Sequence, residues 1–521
     1  MGPSVVFTAL VVGFLYLAAA STKTDESGAV VVVGGGLAGL SAVLTAFEHD
    51  SKIKIILMDG EANIGGNSAK ATSGINGAGT KVQEKHDISD SWEKFLADTL
   101  KAGDNTNIKP LVELLAKQSA KCVEWLIGNV GVDLTDVNLC GGHSVPRTHW
   151  IFSGGKDAKP QPVGLGIIRA MKAKLDSLIK DGANIEVLTN TRAVELLQDE
   201  NGRVNGVRAK QADDDNTKEY LADSVILTTG GYSSDRSKED SLLVEFAEAK
   251  MLYPTTNGKF ADGSGVKMAR RIGADIIDMD AVQIHPTAFV NPKDPEAPTK
   301  FLAAEALRGK GALMINQQGK RFANELDRRD YLTAEILQHC AFNVSAQAHT
   351  AYLLMNDAAV NGFGWPSFNF YHKKLGFFKE YQDASAMCDD LDMQLSDLEQ
   401  TFADYAAAAD KGEDQFHKKV FPVQFSPFET IYVGTITPAI HYTMGGLRIN
   451  EQAQVLKAEN SHPPLEGLYA AGEVTGGVHG HNRLAGNSLL ECVVFGRIAG
   501  KEAAINAGQR IKTTSRGADE L

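Results

Sequence analysis

Ala29-Val30-Val31-Val32-Val33 runs directly into Gly34-Gly35-Gly36-Leu37-Ala38-Gly39, then into an alanine- and leucine-rich stretch ending near Glu48. A second apolar run over residues 53–58 follows and stops at Asp59. The short β-branched run reads as a strand buried on both faces, and the stretch after the glycines reads as a helix. Strand, glycine turn, helix, strand and an acid about twenty residues past the last glycine is the arrangement that binds a dinucleotide. Each position has a task. Gly34 allows the tight turn, Gly36 lets backbone N–H groups approach a pyrophosphate, Gly39 permits close helix packing, and Asp59 binds a ribose hydroxyl.

Further strands return to the same sheet. Residues 185–188 and 225–229 are strand-like, the latter running into Gly230-Gly231, and Gly467-Leu468-Tyr469-Ala470-Ala471-Gly472-Glu473 is a strand entering a glycine turn. Between residues 236 and 430 the regular β-α alternation stops, and helices, loops and charged clusters take over. With 521 residues and 43% apolar content, the chain is too long for one simple core and able to bury a large cofactor. The expected organisation is a nucleotide domain over 28–235 and 431–508, interrupted by a second domain over 236–430.

The charge balance excludes one class of partner. With 52 Lys+Arg against 65 Asp+Glu, the net charge is -13, and no run of basic residues offers to neutralise successive phosphates, so nucleic acid is not expected. Any local gathering of Arg and His against that background must be built by the fold to hold an anion. The 5 cysteines, Cys122, Cys140, Cys340, Cys388 and Cys492, have no metal, haem or iron–sulfur spacing. No metal site is expected; buried free thiols fit better than a disulfide framework, with one pair left open to oxidation.

Both ends read as addresses. Residues 5–17 are almost wholly apolar and lead through Ala18-Ala19-Ala20 to a polar stretch, the pattern of a signal peptide over residues 1–20 and shorter than a membrane span. The tail over 509–521 ends Ala518-Asp519-Glu520-Leu521, similar to an endoplasmic reticulum retention signal with alanine in first place. Together these point to the endoplasmic reticulum lumen, with the mitochondrion as the alternative. A sequon at Asn343 is compatible with the lumen, and no stable membrane span is expected once the signal is cleaved.

Six motifs in order carry a family likeness: Gly65-Gly66-Asn67-Ser68-Ala69-Lys70, His285-Pro286-Thr287, Glu305-Ala306-Leu307-Arg308-Gly309, Arg328-Arg329-Asp330, His441-Tyr442-Thr443-Met444-Gly445-Gly446, and the stretch from Ala471-Gly472-Glu473 through His481-Asn482-Arg483-Leu484-Ala485-Gly486-Asn487-Ser488. Over about residues 28–505 the chain resembles the soluble fumarate reductase and flavocytochrome c flavoprotein family, above all its single-chain fungal members. The resemblance implies an α/β fold in which a Rossmann-like FAD-binding domain is interrupted by an α+β clamp (capping) domain, with the active site between them.

It also implies a site. His285, His441 and Arg483 bind the substrate carboxylates, Arg329 is the proton donor, and Glu305 with Arg308 resupplies the proton. The implied FAD contacts are Gly34, Gly36, Gly39, Asp59, Asn67, Ser68, Lys70, Gly74, Asn76, Val194, Glu473, Asn487, Ser488 and Leu489, with Asp262 also near the flavin. Arginine remains protonated across physiological pH, which suits a permanently loaded donor. The segment from Asn67 to Ser73 lacks the histidine that binds FAD covalently in membrane-bound relatives, so the FAD is expected to be non-covalent and reduction of fumarate to succinate to be the favoured direction.

Two departures stand out: Ala304 precedes Glu305 where some bacterial members have threonine, and His481 stands where alanine is common. No haem-binding region is present, so electrons must come from reduced free flavin or a donor protein. Two other readings remain open: a reductase of another unsaturated acid such as urocanate or a cinnamate, and a flavin-binding carrier.

Overall fold

The computed structural model describes residues 28–72, 74–151, 162–212, 214 and 216–519, with side chains to residue 509. The signal-like stretch over residues 1–20, Ser73 and the last two residues of the retention-like end lie outside the described residues.

The strand Ala29–Val33 is wholly buried and sits inside a six-stranded sheet. Across the sheet the order is Gln454–Leu456, Pro464–Ala470, Ser224–Leu227, Ala29–Val33, Lys54–Met58 and Ile185–Leu188, all parallel except the first. Valine and isoleucine dominate the central strands because both faces are covered. One covering layer is the helix Leu37–His49 packed on the long helix Asn487–Asp519. No helix among the described residues is long and apolar enough to cross a membrane.

The glycine turn behaves as its sequence implies. Gly34 has φ +108°, and a Cβ on Gly39 would lie 2.0 Å from the Gly34 carbonyl oxygen, so the helix starts as close to the strand as backbone allows.

A second sheet, in the order Phe301–Leu302, Val282–Phe289, Ile431–Thr443, Ala351–Asn356 and Leu313–Ile315, is antiparallel and carries its own core. Two of its strands connect the bodies. Ile284 and Ile440 belong to the first core, while Phe289 and Ile436, further along the same strands, belong to the second. The first core also takes Leu242, Val266, Met268 and Ala269. Core membership therefore changes at residues 284–289 rather than at 236, because the helix Ser264–Arg271 buries Val266, Met268 and Ala269 in the first core, next to the strands Thr191–Gln198 and Gly446–Arg448.

Candidate active site

The two connecting strands are irregular where they carry histidine. Their register shifts between Gln283 and Ile284, opposite the step from Tyr442 to Ile440, so His441 is the extra residue of a bulge. It shifts again between His285 and Ala288, where Pro286 cannot donate to a ladder. Bulges re-aim side chains, and here they bring the two imidazoles to 5.1 Å between centroids. His441 Nδ1 meets Thr256 Oγ1 at 2.8 Å, and Asn257 Nδ2 donates to the His441 carbonyl oxygen at 2.8 Å. His285 Nδ1 is engaged by Thr287, leaving its buried Nε2 without a partner. Burial, with the charge of Arg329 adding to it, holds both imidazoles well below their ordinary value, so they are neutral hydrogen-bonding groups at physiological pH.

Arg329 opens the helix Arg329–His339, where the dipole disfavours a cation. Glu305 answers that conflict: its Oε2 accepts from Arg329 Nη2 at 2.9 Å and from Nε at 3.2 Å, while its Oε1 accepts from Gly141 N at 3.0 Å. Burial opposes ionisation of Glu305, but the charges of Arg329 and Arg308 together with these hydrogen bonds bring its carboxyl down to about 2. Gln283, absent from the sequence expectations, ties Arg329 to Arg483. Its Oε1 accepts from Arg329 Nη1 at 2.8 Å and from Arg483 Nη2 at 3.1 Å. Its Nε2 donates to Asn482 Oδ1 at 2.7 Å and to the Arg483 carbonyl at 3.0 Å. Burial, then Arg329, lowers Arg483 to about 10.

Arg308 does not join this network directly. Its Nη1 donates to the Glu325 carbonyl at 2.5 Å, and its Nε and Nη2 have no partner. No hydrogen bond links it to Glu305 among the described residues, so the expected Arg308-to-Glu305 path is not continuous, and Arg308 acts on Glu305 as a nearby charge. Glu305 instead faces a side cavity of about 250 Å³ that shares Arg329 and Arg483 with the main one.

The main cavity, about 480 Å³, runs from Gly34–Gly36 and Asp59 past Asn67, Ser68 and Lys70 to His441, Arg329 and Arg483. Its walls fit a dinucleotide. A Cβ on Gly36 would meet nothing nearer than Ser68 Oγ at 3.8 Å, so the loop backbone faces open space; the N-cap residue of the helix offers no side-chain acceptor, and Ser68 Oγ accepts from Leu37 N at 3.3 Å. Two lining hydroxyls, Thr72 Oγ1 and Thr229 Oγ1, are buried without partners. Asp59 lines the cavity while accepting from Gly35 N at 2.7 Å and Glu61 N at 2.8 Å. Glu473 lines it too; burial raises its carboxyl to about 7, although Thr443 donates to it.

Gly74, Ser488 and Leu489 also line the cavity. Several expected contacts do not. Val194 is not among the lining residues, which here are Thr191, Arg192 and Ala193; it is the unpaired residue where the register with the neighbouring strand shifts between Ala193 and Glu195. Asn76 and Asn487 sit behind the wall, joined Nδ2 to Oδ1 at 2.7 Å, and Asn76 also donates to the Ala485 carbonyl at 2.7 Å. Gly39 is in the helix contact, and Asp262 is paired with Arg192 at 2.5 Å beside lining residues Ala261 and Ser264. Of the two departures, Ala304 is the buried residue preceding the helix Glu305–Gly309, whereas His481 is exposed. Thr256 and Asn257, which orient His441, gave no signal in the sequence because they act across 184 residues or more. No disulfide joins the described cysteines.

The FAD binding domain family matches residues 29–489. "Fumarate reductase" of Schizosaccharomyces pombe is 38% identical over 503 residues, covering 95% of this chain and 92% of that protein. "Fumarate reductase 1" of Saccharomyces cerevisiae is 37% identical over 488 residues, with 91% and 98% covered. Among solved structures, the open conformation of a flavocytochrome c3 fumarate reductase superposes with a TM-score of 0.73 at 33% identity, covering 93% of this chain and 79% of that one.

Proposed function

The chain belongs to the FAD binding domain family, and from that premise we propose that it reduces fumarate to succinate with non-covalently bound FAD. One observation carries the reading. Arg329, Arg483 and His441 stand at one end of the dinucleotide cavity, with His285 against His441 and Glu305 against Arg329, in a chain of net charge -13. Such a cluster suits two carboxylates. Gly34, Gly36, Asp59, Asn67, Ser68, Lys70, Ser488 and Leu489 would hold the cofactor, and bound FAD supplies a hydride to one alkene carbon.

The remaining work belongs to the chain. Arg483 and the neutral histidines fix the carboxylates, which sets the double bond in one orientation and removes the entropy cost from the chemical step. Of the five N–H groups of Arg329, three are committed to Glu305 and Gln283, leaving two for substrate. Arg329 gives one proton to the second alkene carbon, whose carbanion character beside a carboxylate makes it a stronger base than a neutral guanidine. Glu305, ionised and in contact with Arg329, is positioned to pass a proton back from the side cavity. The lining segment 67–72 has no histidine to tether FAD, which supports the reductive direction. Electrons then come from reduced free flavin or from a donor protein. The address-like ends support the endoplasmic reticulum lumen as the location, and glycosidase sensitivity at Asn343, exposed on a hairpin, tests it.

The test is anaerobic reoxidation of reduced FMN by the purified protein. Reoxidation with fumarate, lost in Arg329→Ala by a factor of about 10² to 10⁴ with FAD retained, is the expected outcome. Reoxidation only by a monocarboxylic unsaturated acid, or indifference to Arg329→Ala, would overturn the reading.

A further inference from the structure

Arg483 is held by less than its partner Arg329. It makes no ion pair with any described residue; Nη2 donates to Gln283 Oε1 at 3.1 Å, Nη1 to the Leu484 carbonyl at 3.3 Å, and Nε to nothing. The space against its face is filled by the ring of Tyr442, 4.5 Å from the guanidinium carbon. Gln283 and Tyr442 are cross-strand partners on the two connecting strands, so one pair supplies both the carbonyl and the ring that grip this arginine.

The ring is itself anchored. Tyr442 donates its hydroxyl to Oε2 of Glu491, a carboxylate with no solvent exposure on the helix beginning at Asn487. Glu491 is fixed in turn by His479 Nε2 at 2.9 Å and Thr475 Oγ1 at 3.3 Å. Tyr442 lines the main cavity whereas Glu491, His479 and Thr475 do not, and plain core cohesion does not require a carboxylate beneath a ring that faces a cation.

We propose that Tyr442, oriented and made electron-rich by its hydrogen bond to Glu491, is the positioning residue that presents Arg483 to the second carboxylate of the substrate and so makes the site select dianions over monoanions. The inference rests on the dicarboxylate reading above. A phenol donating to a carboxylate gains negative charge on its ring, which strengthens attraction to a guanidinium away from water. The anchored ring also stops Arg483 from turning about its long side chain, leaving Nε and the free Nη hydrogens aimed at one anion position.

The test is calorimetric binding of succinate and of butyrate to the FAD-loaded enzyme, with KM and kcat for fumarate measured alongside. Tyr442→Phe is expected to weaken succinate about tenfold, within the range of a desolvated cation–π contact, and butyrate less than twofold. KM should rise with kcat nearly unchanged. Glu491→Leu should match Tyr442→Phe, the double variant should be no worse than either, and Glu491→Gln should recover part of the binding, because its amide oxygen still anchors the phenol but carries no charge to enrich the ring. Succinate binding within twofold of wild type in Tyr442→Phe and Tyr442→Leu, additive losses in the double variant, or equal losses for butyrate would each overturn the proposal. A wild-type enzyme that binds no succinate would overturn the dicarboxylate reading and this inference together, whereas wild-type binding with unmoved variants would overturn only the inference.

Discussion

Replacing Gln283 with methionine keeps the volume and removes one carbonyl oxygen that two arginines share. That oxygen accepts from Arg329 at 2.8 Å and from Arg483 at 3.1 Å, both out of solvent. A hydrogen bond to a charged group is worth about 1.5–3 kcal/mol, so the two together amount to roughly 3–6 kcal/mol in the free enzyme. Bound substrate gives the freed N–H groups new acceptors but not the alignment that the shared oxygen imposes, so about half of that energy, roughly 1.5–3 kcal/mol, is missing from transition-state stabilisation, which corresponds to kcat/KM lowered about 10- to 150-fold. The loss should divide, kcat falling because Arg329 is misplaced and KM rising because Arg483 is. The assay is steady-state reoxidation of reduced flavin by fumarate under anaerobic conditions, on protein whose FAD content and Tm match wild type. A kcat/KM within threefold of wild type would refute the argument that Gln283 couples the two arginines.

Two further outcomes follow from the cavity walls. Glu473 has its carboxyl raised to about 7 in the folded apoprotein, so its contribution to stability is complete below about 4.5 and is lost as pH rises through 7. The apoprotein should lose roughly 3 kcal/mol between pH 5 and 8 from this group, and Glu473→Gln should flatten the thermal profile; an unchanged slope would count against the assignment. At Gly36 a Cβ has room, its nearest neighbour being Ser68 Oγ at 3.8 Å, so Gly36→Val should leave the apoprotein Tm within a few degrees while FAD binding, followed by flavin fluorescence, is lost. Retained FAD in that variant would mean that the pyrophosphate does not approach this loop.

Much of this site was readable because its residues occur in short local motifs. Gly34, Gly36 and Asp59 follow from one strand–turn–helix unit, and the arginines and histidines from runs of three to six residues. What could not be read depends on pairing across the chain. Gln283 sits in a strand as an ordinary polar residue until the fold brings residues 482 and 483 to it. Ala193 is paired in its ladder while Val194 is skipped by a register shift, and local sequence does not announce that irregularity. Asn76 and Asn487 have the right chemistry for a ligand, but the fold joins them to one another behind the cavity wall. The handover between bodies near residue 285 was hidden because residues 242–269 have no β-α rhythm, although they bury apolar faces on the first core.

The two strands that join the bodies have a mechanical meaning. They are hydrogen-bonded to each other from Val282–Thr443 to Phe289–Ile436, so rotation of one body on the other must twist that ribbon as a unit. His285 and His441 ride on the ribbon itself. Arg329 and Glu305 lie out on the arm, on helices packed with the second core. Arg483 belongs to the opposite arm, on the segment that enters the helix Asn487–Asp519. A change in the angle between the two bodies would therefore move Arg329 relative to Arg483 more than it would move the two histidines relative to each other.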